Sequence, residues 1–191
     1  MGADKALLTF RDQTLLSRAL KTAAGASGRV VIVGPRHRYA IYGEVVEDIY
    51  TGCGPLGGIH AALCATDTDL NLVLSVDMPL MTTEFLRWLV DQARKTSELI
   101  VVPDALGGQQ PLCAVYRRPL YVLAEQALKD GEYKIGHLFE RVPTRYISEA
   151  EIRKASFSTE VFRNVNTVEE YEALVRDVGA ALVKGKGRAG G

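Results

Sequence analysis

The sequence predicts an α/β fold, a mostly parallel sheet with helices on both faces, held in one main domain. Three observations predict it. Short β-branched or apolar runs recur at residues 29–33 (RVVIV), 71–76 (NLVLSV) and 99–102 (LIVV). Segments with apolar residues at helical spacing separate these runs, which is the pattern of βαβ units. The run 71–76 is apolar almost throughout, as expected of a strand covered on both faces.

Taken in order, Leu15, Leu16, Ala19, Leu20 and Ala23 recur at helical spacing behind the polar Asp12-Gln13-Thr14, which supplies a cap. Gly25-Ala26-Ser27-Gly28 breaks that helix, and residues 29–33 form a strand ended by Gly34-Pro35. Residues 44–47 (EVVE) are a second strand, followed by a turn-rich stretch to Gly58 and a helix over 59–65. After the strand 71–76, Thr82 or Thr83 caps a helix whose apolar side carries Phe85, Leu86, Leu89 and Val90. Residues 99–102 form a strand stopped by Pro103, 112–116 a fifth strand, 120–128 a helix and 135–140 a shorter one. Thr167 caps a closing helix through Leu174. The domain is read as residues 1–178, with 179–191 a flexible Gly/Lys-rich tail.

Charge and cysteine content narrow the function. The 23 basic and 23 acidic side chains cancel, so no net positive field favours nucleic acid. Cys53, Cys64 and Cys113 are scattered and none lies in a C-x-x-C pair, which argues against a disulfide framework or zinc site and points to the cytoplasm. No apolar run reaches 18 residues, so no membrane span is expected. His37, His60 and His137 lie apart without metal-ligand spacing, and no G-x-S-x-G, P-loop or G-x-G-x-x-G signature is present.

Ligands of such sheets bind at the carboxyl ends of the strands, which directs attention to the loops after Val33, Glu47, Val76 and Val102. Glu47-Asp48 is followed by Gly54-Pro55-Leu56-Gly57-Gly58 before a helix, where glycines admit a ligand close to the backbone and a helix N-terminus offers N–H groups to anions. Asp77, in Val76-Asp77-Met78-Pro79, places a carboxylate at a strand end, suited to a hard cation such as Mg²⁺. Lys5 is a candidate point charge for phosphates. Asn164 and Asn166 carry oxygens that can complete a cation site, or else serve turn and cap chemistry.

In order along the chain, Met1-Gly2-Ala3-Asp4-Lys5-Ala6-Leu7-Leu8, Val46-Glu47-Asp48, Gly54-Pro55-Leu56-Gly57-Gly58-Ile59, Asp77-Met78-Pro79-Leu80, Gln110-Pro111-Leu112 and Asn164-Val165-Asn166-Thr167 resemble the molybdenum cofactor guanylyltransferases. The resemblance runs from residue 1 to about residue 175 and implies a Rossmann-like, three-layer nucleotidyltransferase fold. It departs in two places. Family members begin with a strand and a loop of the form L-A-G-G-x-S-x-R-M-G, of which only Met1 and Gly2 match here. The expectation is therefore that the first strand and its Gly-rich loop are missing, and that the natural protein starts upstream. Val33 stands where some members carry a nucleotide-contacting asparagine.

The resemblance implies transfer of GMP from GTP to the terminal phosphate of molybdenum-molybdopterin, with Mg²⁺ as cofactor. By the match, Asp77 holds Mg²⁺, Lys5 contacts the phosphates, Asp48 hydrogen-bonds the nucleoside, and Gly54, Pro55, Leu56, Gly57 and Gly58 shape its pocket. Asn164 and Asn166 lie near the second substrate or a cation. Implied partners are GTP, molybdenum-molybdopterin, and molybdoenzymes or their chaperones. The alternatives are a cytidylyltransferase or other small-molecule nucleotidyltransferase of the same fold, and a non-catalytic cofactor-binding protein.

Overall fold

The computed structural model describes residues 4–10, 13–165, 167, 170 and 173. A 3₁₀ turn, Lys5–Leu7, is capped by Asp4, whose Oδ1 accepts from the Ala6 N–H at 3.1 Å. A small antiparallel pair, β1 (Thr9–Phe10) and β2 (Gln13–Thr14), leads into α1 (Leu15–Ala24). Thr14 caps α1, accepting from the Ser17 N–H at 3.0 Å. There follow β3 (Ile32–Val33), α2 (Arg36–Tyr39), β4 (Val45–Val46), α3 (Gly54–Cys64), β5 (Leu70–Leu74), α4 (Thr83–Arg94) and β6 (Ile100–Ala105). The described chain continues through β7 (Gly108–Gln109), β8 (Cys113–Arg117), α5 (Leu120–Lys129), α6 (Ile135–Arg141), β9 (Thr144–Ser148), α7 (Glu149–Lys154) and a 3₁₀ turn, Thr159–Phe162.

The larger sheet runs β5, β8, β6, β9, with β7 folded against β6 as a hairpin. β8 is antiparallel to both β5 and β6, whereas β6 and β9 are parallel. Thus β5, β6 and β9 share one direction, and β8 and the short β7 oppose them. The cause is local. Leu106 and Gly107 both have positive φ, and this tight turn sends the chain straight back along β6 instead of over a helical crossover. β3 and β4 form a separate parallel pair.

Successive residues of the central strands face opposite helical layers, as a pleat of period two demands. Ile100, Val102, Ala114 and Tyr116 pack with α3, α5 and α6, while Val101, Cys113 and Val115 pack with α4 and α7. The result is three layers, helix over sheet over helix. A third cluster of Ala6, Leu16, Ile32 and Val45 joins α1 and the β3/β4 pair to Val76.

Several boundaries differ from the sequence reading for identifiable reasons. β3 is regular only over two residues because β4, its sole partner among the described residues, pairs just Ile32 and Val33. α3 begins at Gly54, not Ile59, so the glycine-rich stretch 54–58 forms the first turns of the helix. β6 passes through Pro103, whose carbonyl accepts from Gln110 N–H at 2.8 Å. The missing proline donor faces that same side, beyond the point where β8 stops pairing, so no ladder bond is lost. The capping box of α7, with Ser148 and Glu151 bonded reciprocally, was not anticipated, nor was β9. Of the closing helix, Glu170 and Ala173 are helical and Thr167 Oγ1 accepts from Glu170 N–H at 3.1 Å. Asn166, Met1, Gly2 and the tail 179–191 lie outside the described residues. No helix among the described residues is long and apolar enough to cross a membrane.

Candidate active site

A cavity of about 730 Å³ lies between β3 and β5 and runs from Arg29 and Thr68 at their amino ends to the loops at their carboxyl ends. Asp48, Pro55 and Gly58 line it together with Val33 and Val76. Asp48 follows β4, and its Oδ1 is buried without a hydrogen-bond partner among the described residues. Burial pushes its carboxyl pKa upward. Gly58 keeps this place open. A Cβ there would stand 3.3 Å from Val33 Cγ1 and 3.6 Å from Asp48 Oδ1.

An uncompensated carboxylate has a stability signature. The folded-state pKa of Asp48 is raised, so stability is full at acid pH and declines as pH rises from the ordinary carboxylate value toward the raised one. Asp48→Asn removes that loss. Its melting temperature should exceed that of the parent at pH 7 and match it near pH 3, measured by thermal denaturation at both values. A parent advantage at pH 7 would contradict the assignment.

The N-terminus of α3 stands next to Asp48. Gly52 (φ 74°) and Gly54 (φ 62°) adopt the left-handed conformation that lets the chain turn sharply into the helix. Cys53, at the cap, makes no side-chain capping bond, and the first turn carries no acidic residue. The leading N–H groups of α3 thus have no side-chain cap and lie at the positive end of the helix dipole, an arrangement suited to an anion. Gly57 is held against the backbone, since a Cβ would come within 2.8 Å of the Tyr50 carbonyl oxygen. Leu56 is fully buried in the core, so what it offers a ligand is backbone, not side chain.

Asp77 follows β5, and its Oδ1 is also buried and without a hydrogen-bond partner among the described residues. Its carbonyl accepts from the Val165 N–H at 2.9 Å, which brings the exposed Asn164 beside the Asp77 turn. Arg18 of α1 donates from Nε to the Pro79 carbonyl at 2.5 Å, and Met78 and Met81 are buried, so this turn is pinned from two sides. Lys5 is exposed on its own 3₁₀ turn. That turn is fixed by Asp4, which accepts from Tyr39 Oη at 2.8 Å and pairs with Arg38 at 3.5 Å. Desolvation of Tyr39, and then its bond to Asp4, raise its pKa to about 12.

The structure therefore brings Asp48, Pro55 and Gly58 into one cavity and, through the Val165 bond to Asp77, sets Asn164 one residue from that contact. It turns Leu56 and Gly57 inward and sets Lys5 on a separate, braced turn. Sequence reasoning overlooked Arg18 and Asp4 as positioning residues. The Asp4 signal was available, as an aspartate two residues before a turn-forming Ala-Leu pair, whereas the Arg18 contact spans 61 residues and leaves no local trace.

Among the described residues no three His, Cys, Asp or Glu side chains cluster as a self-contained metal site. One orphaned, buried carboxylate oxygen on Asp77 suits the alternative, a Mg²⁺ ion held by one carboxylate and completed by substrate phosphates and water.

Residues 1–145 match the family model of the MobA-like NTP transferase domain. A probable molybdenum cofactor guanylyltransferase from Peptoclostridium acidaminophilum is 31% identical over 178 residues, covering 89% of this chain and 80% of its own. One from Pelotomaculum thermopropionicum is 31% identical over 169 residues, covering 87% and 82%. Among solved structures, molybdopterin-guanine dinucleotide biosynthesis protein A from Archaeoglobus fulgidus superposes with a TM-score of 0.77 at 24% identity, over 92% of this chain and 91% of its own. A Mycobacterium tuberculosis protein crystallised with manganese superposes with a TM-score of 0.61 at 19% identity, over 92% and 93%. These two likenesses support the fold, and the match over residues 1–145 shows the family: the chain belongs to the MobA-like NTP transferases and is a nucleotidyltransferase.

Proposed function

We propose that this enzyme transfers GMP from GTP to the terminal phosphate of molybdenum-molybdopterin. A phosphate oxygen of the acceptor bonds to the α-phosphorus of GTP, the α–β bridging bond breaks, and pyrophosphate leaves with its electron pair. The observation that carries the reading is Asp77, whose buried, unpartnered carboxylate oxygen sits at the carboxyl end of β5 in a chain of this family. The names of the relatives supply the substrate pair.

Phosphoryl chemistry of this kind asks the protein mainly for positioning and for neutralisation of phosphate charge. Asp77 would hold Mg²⁺, which when bound would screen the phosphate oxygens. Lys5 adds a positive point charge toward the phosphates. The uncapped N–H groups of α3 on Gly54, Leu56 and Gly57 donate to phosphate or nucleoside oxygens. Asp48 accepts from donors on the nucleoside, which replaces the hydrogen bonds its Oδ1 lacks. Asn164 and Asn166 are assigned to the second substrate or a cation.

The test is a competition among GTP, CTP and ATP with molybdenum-molybdopterin as acceptor and Mg²⁺ present. Only GTP should yield a dinucleotide product. Preferential consumption of CTP would transfer the assignment to a cytidylyltransferase, and binding without turnover would leave a cofactor-binding protein.

A further inference from the structure

The loop that carries Asp48 is fastened at its far end by a residue with no part in the chemistry above. Tyr50 stands two positions beyond Asp48, and the segment 48–50 lies flat along the first turns of α3. A Cβ on Gly57 would stand 2.8 Å from the Tyr50 carbonyl oxygen, and one on Gly58 would stand 3.6 Å from Asp48 Oδ1. Two successive glycines of the helix thus receive the two ends of one short segment.

The Tyr50 side chain reaches two helices. Its Oη donates to Glu125 Oε1 of α5 at 3.1 Å, and the same oxygen takes Lys129 Nζ at 3.1 Å. Lys129 and then Tyr50 hold the Glu125 carboxyl below the usual carboxylate range, so the acceptor is ionised at neutral pH and the bond is charge-assisted. On its other side the Tyr50 ring meets His60 of α3 edge-to-face, with 5.3 Å between centroids. His60 is buried, its Nδ1 has no hydrogen-bond partner among the described residues, and its Nε2 lies 3.4 Å from Cys64 Sγ. Burial pushes the His60 pKa down, which keeps the ring neutral and lets it pack as an aromatic wedge.

Asp48 Oδ1 has no such fixings among the described residues, so the backbone on either side sets its place. Upstream, Gly34 N–H bonds the Val46 carbonyl at 2.9 Å, and Glu47 Oε1 accepts from Arg36 N–H at 2.9 Å. Downstream, Ile49 is exposed, and the first anchored side chain is that of Tyr50.

We propose that Tyr50 is a positioning residue, which by hanging the loop between α3 and Glu125 holds the Asp48 carboxylate in place for a nucleoside donor. The nucleoside part rests on the function proposed above; the hold on the carboxylate does not. Cutting the Tyr50–Glu125 bond frees the end of the loop, lets water reach Asp48 and weakens the grip on the nucleoside. Asp77 and the chemical step are untouched.

Two measurements test this on the full chain, in Tyr50→Phe, Glu125→Leu, their double variant and Glu125→Gln. Without nucleotide, the Asp48 carboxyl is titrated by NMR of its carboxyl carbon. With Mg²⁺ and GTP, Kd is read by calorimetry and kcat by pyrophosphate release with molybdenum-molybdopterin as acceptor. Tyr50→Phe and Glu125→Leu should each bring the Asp48 titration down toward the ordinary carboxylate range. Each should also raise Kd about 10-fold, the scale of one lost hydrogen bond to a charged group. At saturating GTP, kcat should stay within about twofold of the parent. The double variant should be no worse than either single one, since both act through one bond. Glu125→Gln, whose carbonyl still accepts, should behave as the parent. An unmoved Asp48 titration in both single variants would overturn the proposal, and a lowered melting temperature beside it would make Tyr50 a structural residue only. A shifted titration with parental GTP affinity would uphold the hold of Tyr50 on Asp48 and strike the nucleoside role of Asp48 instead.

Discussion

Asp77→Ala should lower the rate of nucleotidyl transfer at least about 100-fold at saturating GTP and Mg²⁺, the scale seen when a group that stabilises transition-state charge is removed. The protein should fold as before. Asp77 Oδ1 is buried with no hydrogen-bond partner among the described residues, so its removal leaves no new orphan, and the bond between the Val165 N–H and the Asp77 carbonyl belongs to the backbone. The signature is thus a lost rate with a melting temperature equal to or above that of the parent. A variant with parental turnover would remove Asp77 from the metal role and with it the main support for the proposed mechanism.

The largest effect on stability should come from Phe85→Ala, on the face of the sheet away from α3. Phe85 is fully buried, and its ring lies 5.2 to 5.5 Å from those of Trp88, Phe157 and Phe162, the last two edge-on. This cluster ties α4 to the chain between α7 and Val165. Truncation leaves a cavity among three rings that cannot collapse together, at a cost of about 3–5 kcal/mol. For a chain of this size that lowers the melting temperature by roughly 6–20 °C, measurable by calorimetry. Below the transition, turnover should persist, because none of the four rings lines the candidate site. A change below 1 kcal/mol would mean that the cluster is not packed as described.

Much of this molecule is legible in its sequence where local chemistry decides structure. Thr14 and Thr82 cap α1 and α4 as their positions predict, and the apolar stripe Phe85, Leu86, Leu89 is the buried face of α4. β9 escapes because Thr144-Arg145-Tyr146-Ile147-Ser148 has one buried residue, Ile147, and its identity as a strand comes from parallel pairing with β6. Strand direction is equally invisible. Nothing within residues 113–117 tells an antiparallel β8 from a parallel one, and the turn at Leu106-Gly107 settles it. The glycines of 54–58 read as a loop because single glycines disfavour helices, yet tertiary contact overrides that preference where Gly57 meets the Tyr50 carbonyl.

The site divides the same way. Asp48 and Asp77 are found by their place after apolar strands, since the carboxyl ends of parallel strands gather at one rim. What joins them to their surroundings is long-range, namely the Arg18 bond to Pro79 and the Val165 bond to Asp77. Residues 71–76 are apolar enough for a central strand, and among the described residues β5 pairs with β8 alone.

The most direct test of the central claim is pyrophosphate release by the full chain supplied with GTP, Mg²⁺ and molybdenum-molybdopterin, with each component omitted in turn. The account predicts release equimolar with a guanine dinucleotide product, and none without the acceptor or the metal. Binding of GTP and acceptor with no pyrophosphate above the enzyme-free control would contradict it.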